Sequence, residues 1–247
     1  LLDGKGELGQ VLFSASLAGT PVPRVLKALE DEAKTLFDGR RSREVSIRPL
    51  LTEHKRQLDA SRAATVRPEA WEQALRAVAA AAPFVQPETP RGRPMSVRMT
   101  AAGRYGWITD RKGYRYEPRH PLGIAWPPIP EQVLALWHDV TGLDRAPDCC
   151  LVNWYGEGAR MGLHQDRDEA DFSMPVVSVS LGDEALFRVG GTERGGRTGS
   201  VWLRSGDVAV LEGESRLAYH GIDRIRFGSS TLLPQGGRIN LTLRVVD

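Results

Sequence analysis

The stretch CLVNWYGEGARMGLHQDRDE (150–169) marks where the chain changes character. It opens as an apolar, strand-like run and closes with one imidazole and three carboxylates, His164, Asp166, Asp168 and Glu169, crowded behind it. From here on, CLVNWY, PVVSVSLG, EALFRVG, GSVWLRSGDVAVLEG and RINLTLRVV are short runs rich in apolar and β-branched residues, punctuated by glycine-containing turns. Closely spaced strands of this kind predict a β barrel or sandwich. The half before it reads differently. RVLKALEDEAKTLF (24–37) and PEAWEQALRAVAAAA (68–82) carry apolar residues at helical spacing, and PEQVLALWHDVTG (130–142) has Pro at its start and Gly142 as its stop. Between these helices MSVRMTAAGRYGWITDRKGYRYEP predicts hairpins. The expected fold is therefore mainly β with flanking helices, an α+β arrangement.

Size and composition limit the function classes. With 247 residues, 41% hydrophobic and 26% charged, the chain buries a sizeable core as one large domain, or one domain with an appendage. No apolar run approaches the roughly 20 residues of a membrane helix, and no secretory signal is legible, so a soluble cytoplasmic protein is expected, with no membrane partner. The adjacent Cys149 and Cys150 fit a reducing compartment and read as buried small hydrophobes. Net charge is only +2, but residues 91–119 hold eight Lys or Arg against Asp110 and Glu117, about +6 in one segment. Such clustering steers polyanions.

Chemistry enters through spacing. On an extended backbone i and i+2 share a face, so His164 and Asp166 converge on one point. A second imidazole would complete two histidines and one carboxylate, the set that occupies one face of Fe(II) and leaves positions open. Of the five histidines, only His220 also follows a strand-like run in the β region. A His-x-Asp pair by itself is as readily a surface pair or a structural hydrogen bond. The last strand adds to it: in RINLTLRVV, Ile239, Leu241, Leu243 and Val245 fall on one face and Arg238, Asn240, Thr242 and Arg244 on the other. If that polar face lines an interior, both guanidiniums need anions, and a dicarboxylate supplies them. The open alternative is a solvent-facing strand. By the same period Asn153 and Tyr155 share a face of the opening strand.

Together N-x-Y (153–155), LHQDRDE (163–169), PVVSVSLG (175–182), GESRLAYHG (213–221) and RINLTLR (238–244), in this order, resemble the AlkB family of Fe(II)- and 2-oxoglutarate-dependent dioxygenases, the bacterial alkylation-repair dealkylases. TPRGRPMSVRMT (89–100), GW (106–107) and GYRY (113–116) extend the likeness, which runs from about residue 69 to the end and leaves out residues 1 to about 65. The resemblance implies a double-stranded β-helix, or jelly-roll, at 149–247. It implies helices and a nucleotide-recognition lid at 67–148, with 1–66 an N-terminal segment of unassigned role. It implies iron on His164, Asp166 and His220. Arg238, Tyr155 and Asn240 would hold the distal carboxylate of 2-oxoglutarate, with Arg244 and Asn153 near its chelating end. Trp107 and Tyr114 would flank an alkylated base, Asp168 would accept from its exocyclic amine, and Arg194 would help position it.

The implied reaction is demethylation of 1-methyladenine and 3-methylcytosine in DNA by a monomer using Fe(II), 2-oxoglutarate and O2. Alternatives are the same chemistry on RNA, or a nucleic-acid-binding β-barrel without metal. Leu211 and Val189 depart from the large aromatics possible at those places, so pocket packing is expected to differ.

Overall fold

The computed structural model describes residues 68–247; the helix expected at 24–37 and the segment 1–66 lie outside the described residues, apart from the family match reported below. The chain divides into two units, Leu1–Ala64 and Thr65–Asp247, and the described residues lie in the second. Its first helix, α1 (Pro68–Ala81), matches the apolar periodicity, and α2 (Glu131–Thr141) ends at Gly142, whose φ of 66° supplies the left-handed cap. Three strands lie between them: β1 (Val97–Gly103), β2 (Gly106–Asp110) and β3 (Gly113–Glu117). After α2 come β4 (Cys149–Tyr155), β5 (Met161–His164), β6 (Val176–Gly182), β7 (Glu184–Val189), β8 (Gly199–Leu203), β9 (Val208–Leu211), β10 (His220–Arg226) and β11 (Arg238–Arg244).

The strands form a five-stranded sheet ordered β1-β4-β11-β6-β9, a four-stranded sheet ordered β5-β10-β7-β8, and the hairpin β2-β3. Every pairing is antiparallel. The hairpins expected before β4 reduce to one, β2-β3. β1 does not close a hairpin with β2; it pairs along its whole length with β4, Val97 opposite Tyr155. Likewise the two halves of GSVWLRSGDVAVLEG separate, β8 joining β7 and β9 joining β6. Partner choice is non-local, and a turn such as Arg204–Asp207 passes between sheets as readily as it closes a hairpin.

The larger sheet has two unlike faces. Ile239, Leu241 and Leu243 of β11, with Val152, Val177 and Val179, pack against Trp71, Leu75 and Val78 of α1 and Val133, Leu136 and Trp137 of α2. Burial of these side chains, worth about 1.5–3 kcal/mol each, fixes the register of β11, because a one-residue slip would drive Arg238 and Arg244 into the helices. The opposite face turns toward a cavity of about 640 Å³. The result is a mixed α/β fold built on an antiparallel sheet core.

Candidate active site

The cavity collects nearly every residue singled out above: Asn153, Tyr155, His164, Asp166, His220, Arg238, Asn240, Thr242 and Arg244, with Trp107, Tyr114, Asp168 and Arg194. His164 ends β5 and His220 begins β10, directly opposite in the ladder, with ring centroids 4.6 Å apart. This close approach needs Gly221, since a Cβ there would lie 2.6 Å from the Met161 carbonyl oxygen. Each histidine turns Nδ1 to a nearby backbone carbonyl, His164 to Gly162 at 2.9 Å and His220 to Ala218 at 2.9 Å. A carbonyl only accepts, so Nδ1 carries the proton and Nε2 keeps its lone pair.

Those Nε2 atoms lie 3.7 and 3.6 Å from Oδ1 and Oδ2 of Asp166, and the three ligand groups fall within 4.8 Å of one another. Burial alone would raise the Asp166 carboxyl, but Arg244, His220 and His164 bring it down to about 2, so it is a carboxylate throughout the working range. Its buried Oδ2 has no hydrogen-bond partner. Burial lowers the His220 pKa, against the pull of Asp166, and keeps that ring neutral. Two imidazoles whose Nε2 atoms approach one carboxylate, with its Oδ2 left without a hydrogen-bond partner, fit a divalent iron.

The two arginines of β11 differ. Arg238 is 1% exposed; its Nη2 donates to Ser180 Oγ at 3.0 Å, while Nε and Nη1 have no partner. Its carbon Cζ stands 5.2 Å from the Tyr155 ring centroid. Arg244 donates from Nη2 to Asp166 Oδ1 at 2.8 Å and lies 3.4 Å from Glu169. Asn240 is tied to Ser178 Oγ at 2.7 Å and accepts from Asn153 at 3.4 Å and Thr242 at 3.1 Å. At the mouth, Trp107 and Tyr114 of the β2-β3 hairpin stack at 5.5 Å and 15°, and the Trp107 indole donates to Asp168 Oδ2 at 2.8 Å. Arg194 is exposed on the loop between β7 and β8. Leu211 lines the cavity, and Val189 stands opposite His220 in the ladder.

Comparison with known proteins follows this geometry. The description "2OG-Fe(II) oxygenase superfamily" matches residues 63–244. The chain belongs to this superfamily. Within it the chain is an AlkB-family dioxygenase. It is 57% identical over 173 residues to the alpha-ketoglutarate-dependent dioxygenase AlkB homolog of Caulobacter vibrioides (strain NA1000 / CB15N), covering 70% of this chain and 79% of the relative. It is 44% identical over 172 residues to alpha-ketoglutarate-dependent dioxygenase AlkB of Escherichia coli (strain K12), covering 68% and 79%. The solved structure of OsALKBH1 is similar at 30% identity with a TM-score of 0.61, covering 72% of this chain and 90% of that one. Residues 1–71 match a different description, an AAA domain. Iron and 2-oxoglutarate are thus the cofactor and co-substrate of this AlkB-family enzyme, and the His164-Asp166-His220 set is the family's iron site.

Sequence reasoning passed over three residues of the site. Glu169, left without a role, is 6% exposed and accepts from Arg216 at 3.1 Å and from the Tyr116 hydroxyl. Tyr116 was within reach of the strand period, since it shares a face with Tyr114 and stands opposite Trp107. Among the described residues no helix is long and apolar enough to cross a membrane.

Proposed function

We propose that this enzyme oxidatively demethylates nucleic-acid bases alkylated on their pairing edge, of the 1-methyladenine and 3-methylcytosine type, in single-stranded or flipped-out DNA. The observation that carries this reading is one cavity holding the iron triad at its floor and the stacked Trp107 and Tyr114 pair at its mouth. An enzyme acting on a base must take it out of the stack, and an aromatic surface compensates for the lost stacking. The E. coli and Caulobacter relatives are dioxygenases by name, in keeping with this chemistry. The segment 67–148 then contains the nucleic-acid-reading part, with the β2-β3 hairpin as its lid, and 149–247 carries the jelly-roll oxygenase core, to which β1 adds a strand. The enzyme acts as a monomer in the cytoplasm.

His164, Asp166 and His220 would hold iron. With 2-oxoglutarate and O2, the metal supplies oxidation of an N-methyl carbon, giving succinate, CO2 and an N-hydroxymethyl base that releases formaldehyde. The chain's own residues set the positions. Arg238 meets the distal carboxylate of 2-oxoglutarate with Nε and Nη1, flanked by Tyr155 and Asn240, while Asn153 and Arg244 border the chelating end. Trp107 aims the Asp168 carboxylate, which accepts from an exocyclic amine and favours a cationic methylated base. Arg194 reaches the same mouth. The basic residues of 91–119 meet phosphates, except Arg115, already paired with Asp110 and Glu117, and Arg104, paired with Asp247.

Methylated DNA and RNA oligonucleotides, followed by formaldehyde release and base reversal, test the reading. DNA turnover above RNA turnover is expected, with all turnover lost in His164→Ala. Trp107→Ala should keep 2-oxoglutarate binding and lose base-coupled turnover. No formaldehyde from any methylated oligonucleotide overturns the proposal, and turnover of RNA alone moves the substrate to RNA.

A further inference from the structure

Glu169 is a buried carboxylate outside the His164-Asp166-His220 set, and three groups converge on it. Arg216 Nη2 donates to its Oε2 at 3.1 Å, the Tyr116 hydroxyl donates to its Oε1, and Arg244 Nε stands 3.4 Å from that same oxygen. The contacts continue in both directions. Arg244 donates from Nη1 to the Tyr116 hydroxyl at 3.3 Å and from Nη2 to Asp166 Oδ1 at 2.8 Å. A continuous path therefore runs from the β2-β3 hairpin through Tyr116, Glu169 and Arg244 to an iron ligand.

Arg216 ties the loop between Asp166 and Met174 together. Itself 2% exposed, it donates from Nη1 to the Asp166 carbonyl at 2.7 Å and from Nε to the Met174 carbonyl at 2.7 Å, so it grips both ends of the loop while Glu169 binds it in the middle. A buried carboxylate between two guanidiniums is held by charge as well as by hydrogen bonds, and moving it would cost contacts to Arg216, Arg244 and Tyr116 together.

We propose that Glu169 is a positioning residue, the joint through which the β2-β3 hairpin and the iron-ligating Asp166 move together, with Arg216 as the strut of its loop. The inference rests on the reading of that hairpin as the surface that meets the base. A base seated on Trp107 and Tyr114 loads the strand that carries Tyr116, and the joint passes that load to the carboxylate at the metal. Coupling between sites is reciprocal, so occupation of Asp166 must in turn order the hairpin.

Hydrogen–deuterium exchange of residues 106–117, measured without and with Co(II) plus 2-oxoglutarate, reads the joint with no nucleic acid present. In the parent protein the ligands should slow exchange across the hairpin. Tyr116→Phe should lose that slowing and weaken Co(II) binding by no more than the factor by which the ligands slow exchange in the parent, because the hydroxyl touches no metal ligand and reaches the site only through the coupling. Glu169→Gln, which keeps an acceptor and removes the charge, should lose the slowing and weaken Co(II) binding, since Arg244 is left with Asp166 alone. Ligand-dependent slowing that persists in Tyr116→Phe overturns the joint. So does a variant whose exchange rises equally with and without ligands, or a parent hairpin indifferent to them. A failure to turn over methylated bases would overturn the proposed function and leave these outcomes as they stand.

Discussion

The two ends of β11 carry the same side chain in opposite circumstances. Arg238 and Arg244 share one face of one strand and are both buried, yet Arg244 has two carboxylates beside it and Arg238 has a serine hydroxyl, a tyrosine ring and two nitrogens with no partner. Asp166 and Glu169 hold the Arg244 pKa well above its ordinary value against the opposing effect of burial, whereas burial lowers that of Arg238. A buried cation that the chain itself neutralises is part of the scaffold. One that it leaves uncompensated is a binding site for an anion from outside.

Replacing each arginine in turn should separate these roles most widely. Arg244→Met strands Asp166 and leaves Glu169 to Arg216 and Tyr116, and breaking such a buried pair costs about 3–5 kcal/mol of stability, read as a fall in the urea midpoint. Arg238→Met removes an uncompensated charge, so the ligand-free protein should be as stable as the parent or more so. If the two variants lose equal stability, the contrast is wrong.

The same pair differs in ligand response. Truncating one side of a buried charge pair costs about 2–5 kcal/mol, so Arg238→Met should weaken 2-oxoglutarate on the order of a hundredfold. At a concentration near 100 times its Kd, 2-oxoglutarate should stabilise the metal-loaded parent by about 2.7 kcal/mol, seen as a raised Tm. That rise should vanish in Arg238→Met.

A smaller effect is expected at the mouth. Trp107→Phe keeps a ring against Tyr114 and loses the indole donor to Asp168. A neutral donor to a carboxylate is worth about 1.5–3 kcal/mol when buried and less here, where Asp168 is exposed, so KM for a methylated oligonucleotide should rise by roughly tenfold or less with 2-oxoglutarate affinity unchanged. A shifted 2-oxoglutarate affinity would show that the mouth and the Arg238 end are not separate.

The smallest effect comes from His220. Its folded pKa lies below the ordinary value, chiefly through burial, so the unfolded chain takes up a proton at a higher pH than the folded one. The stabilising contribution is therefore present above about pH 6.5 and is lost as pH falls through the folded value. The urea midpoint of the metal-free protein should be lower near pH 5 than near pH 7.5, and His220→Gln should flatten that slope. An unchanged slope in His220→Gln assigns it to other groups.

Regular alternation made half of the site readable in advance. β11 has a core face and a polar face, β4 repeats the pattern at Asn153 and Tyr155, and His-x-Asp follows at the end of β5, so period two groups the polar side chains within each segment. Glu169 and Arg216 escaped because they lie in loops, where no period says which way a side chain points. Both are charged, and charged loop residues are ordinarily solvated; only the folded chain shows them buried against each other.

The sequence by itself determined α1, α2, most of the strands and which residues of β11 share a face, since these follow from local propensity and the spacing of apolar side chains. Tertiary structure alone decided that β8 and β9 go to different sheets, that His164 stands opposite His220, and that Arg244 is neutralised while Arg238 is not. Those outcomes depend on which distant segments come into contact, and a side chain's charge environment is set by neighbours that no local pattern specifies.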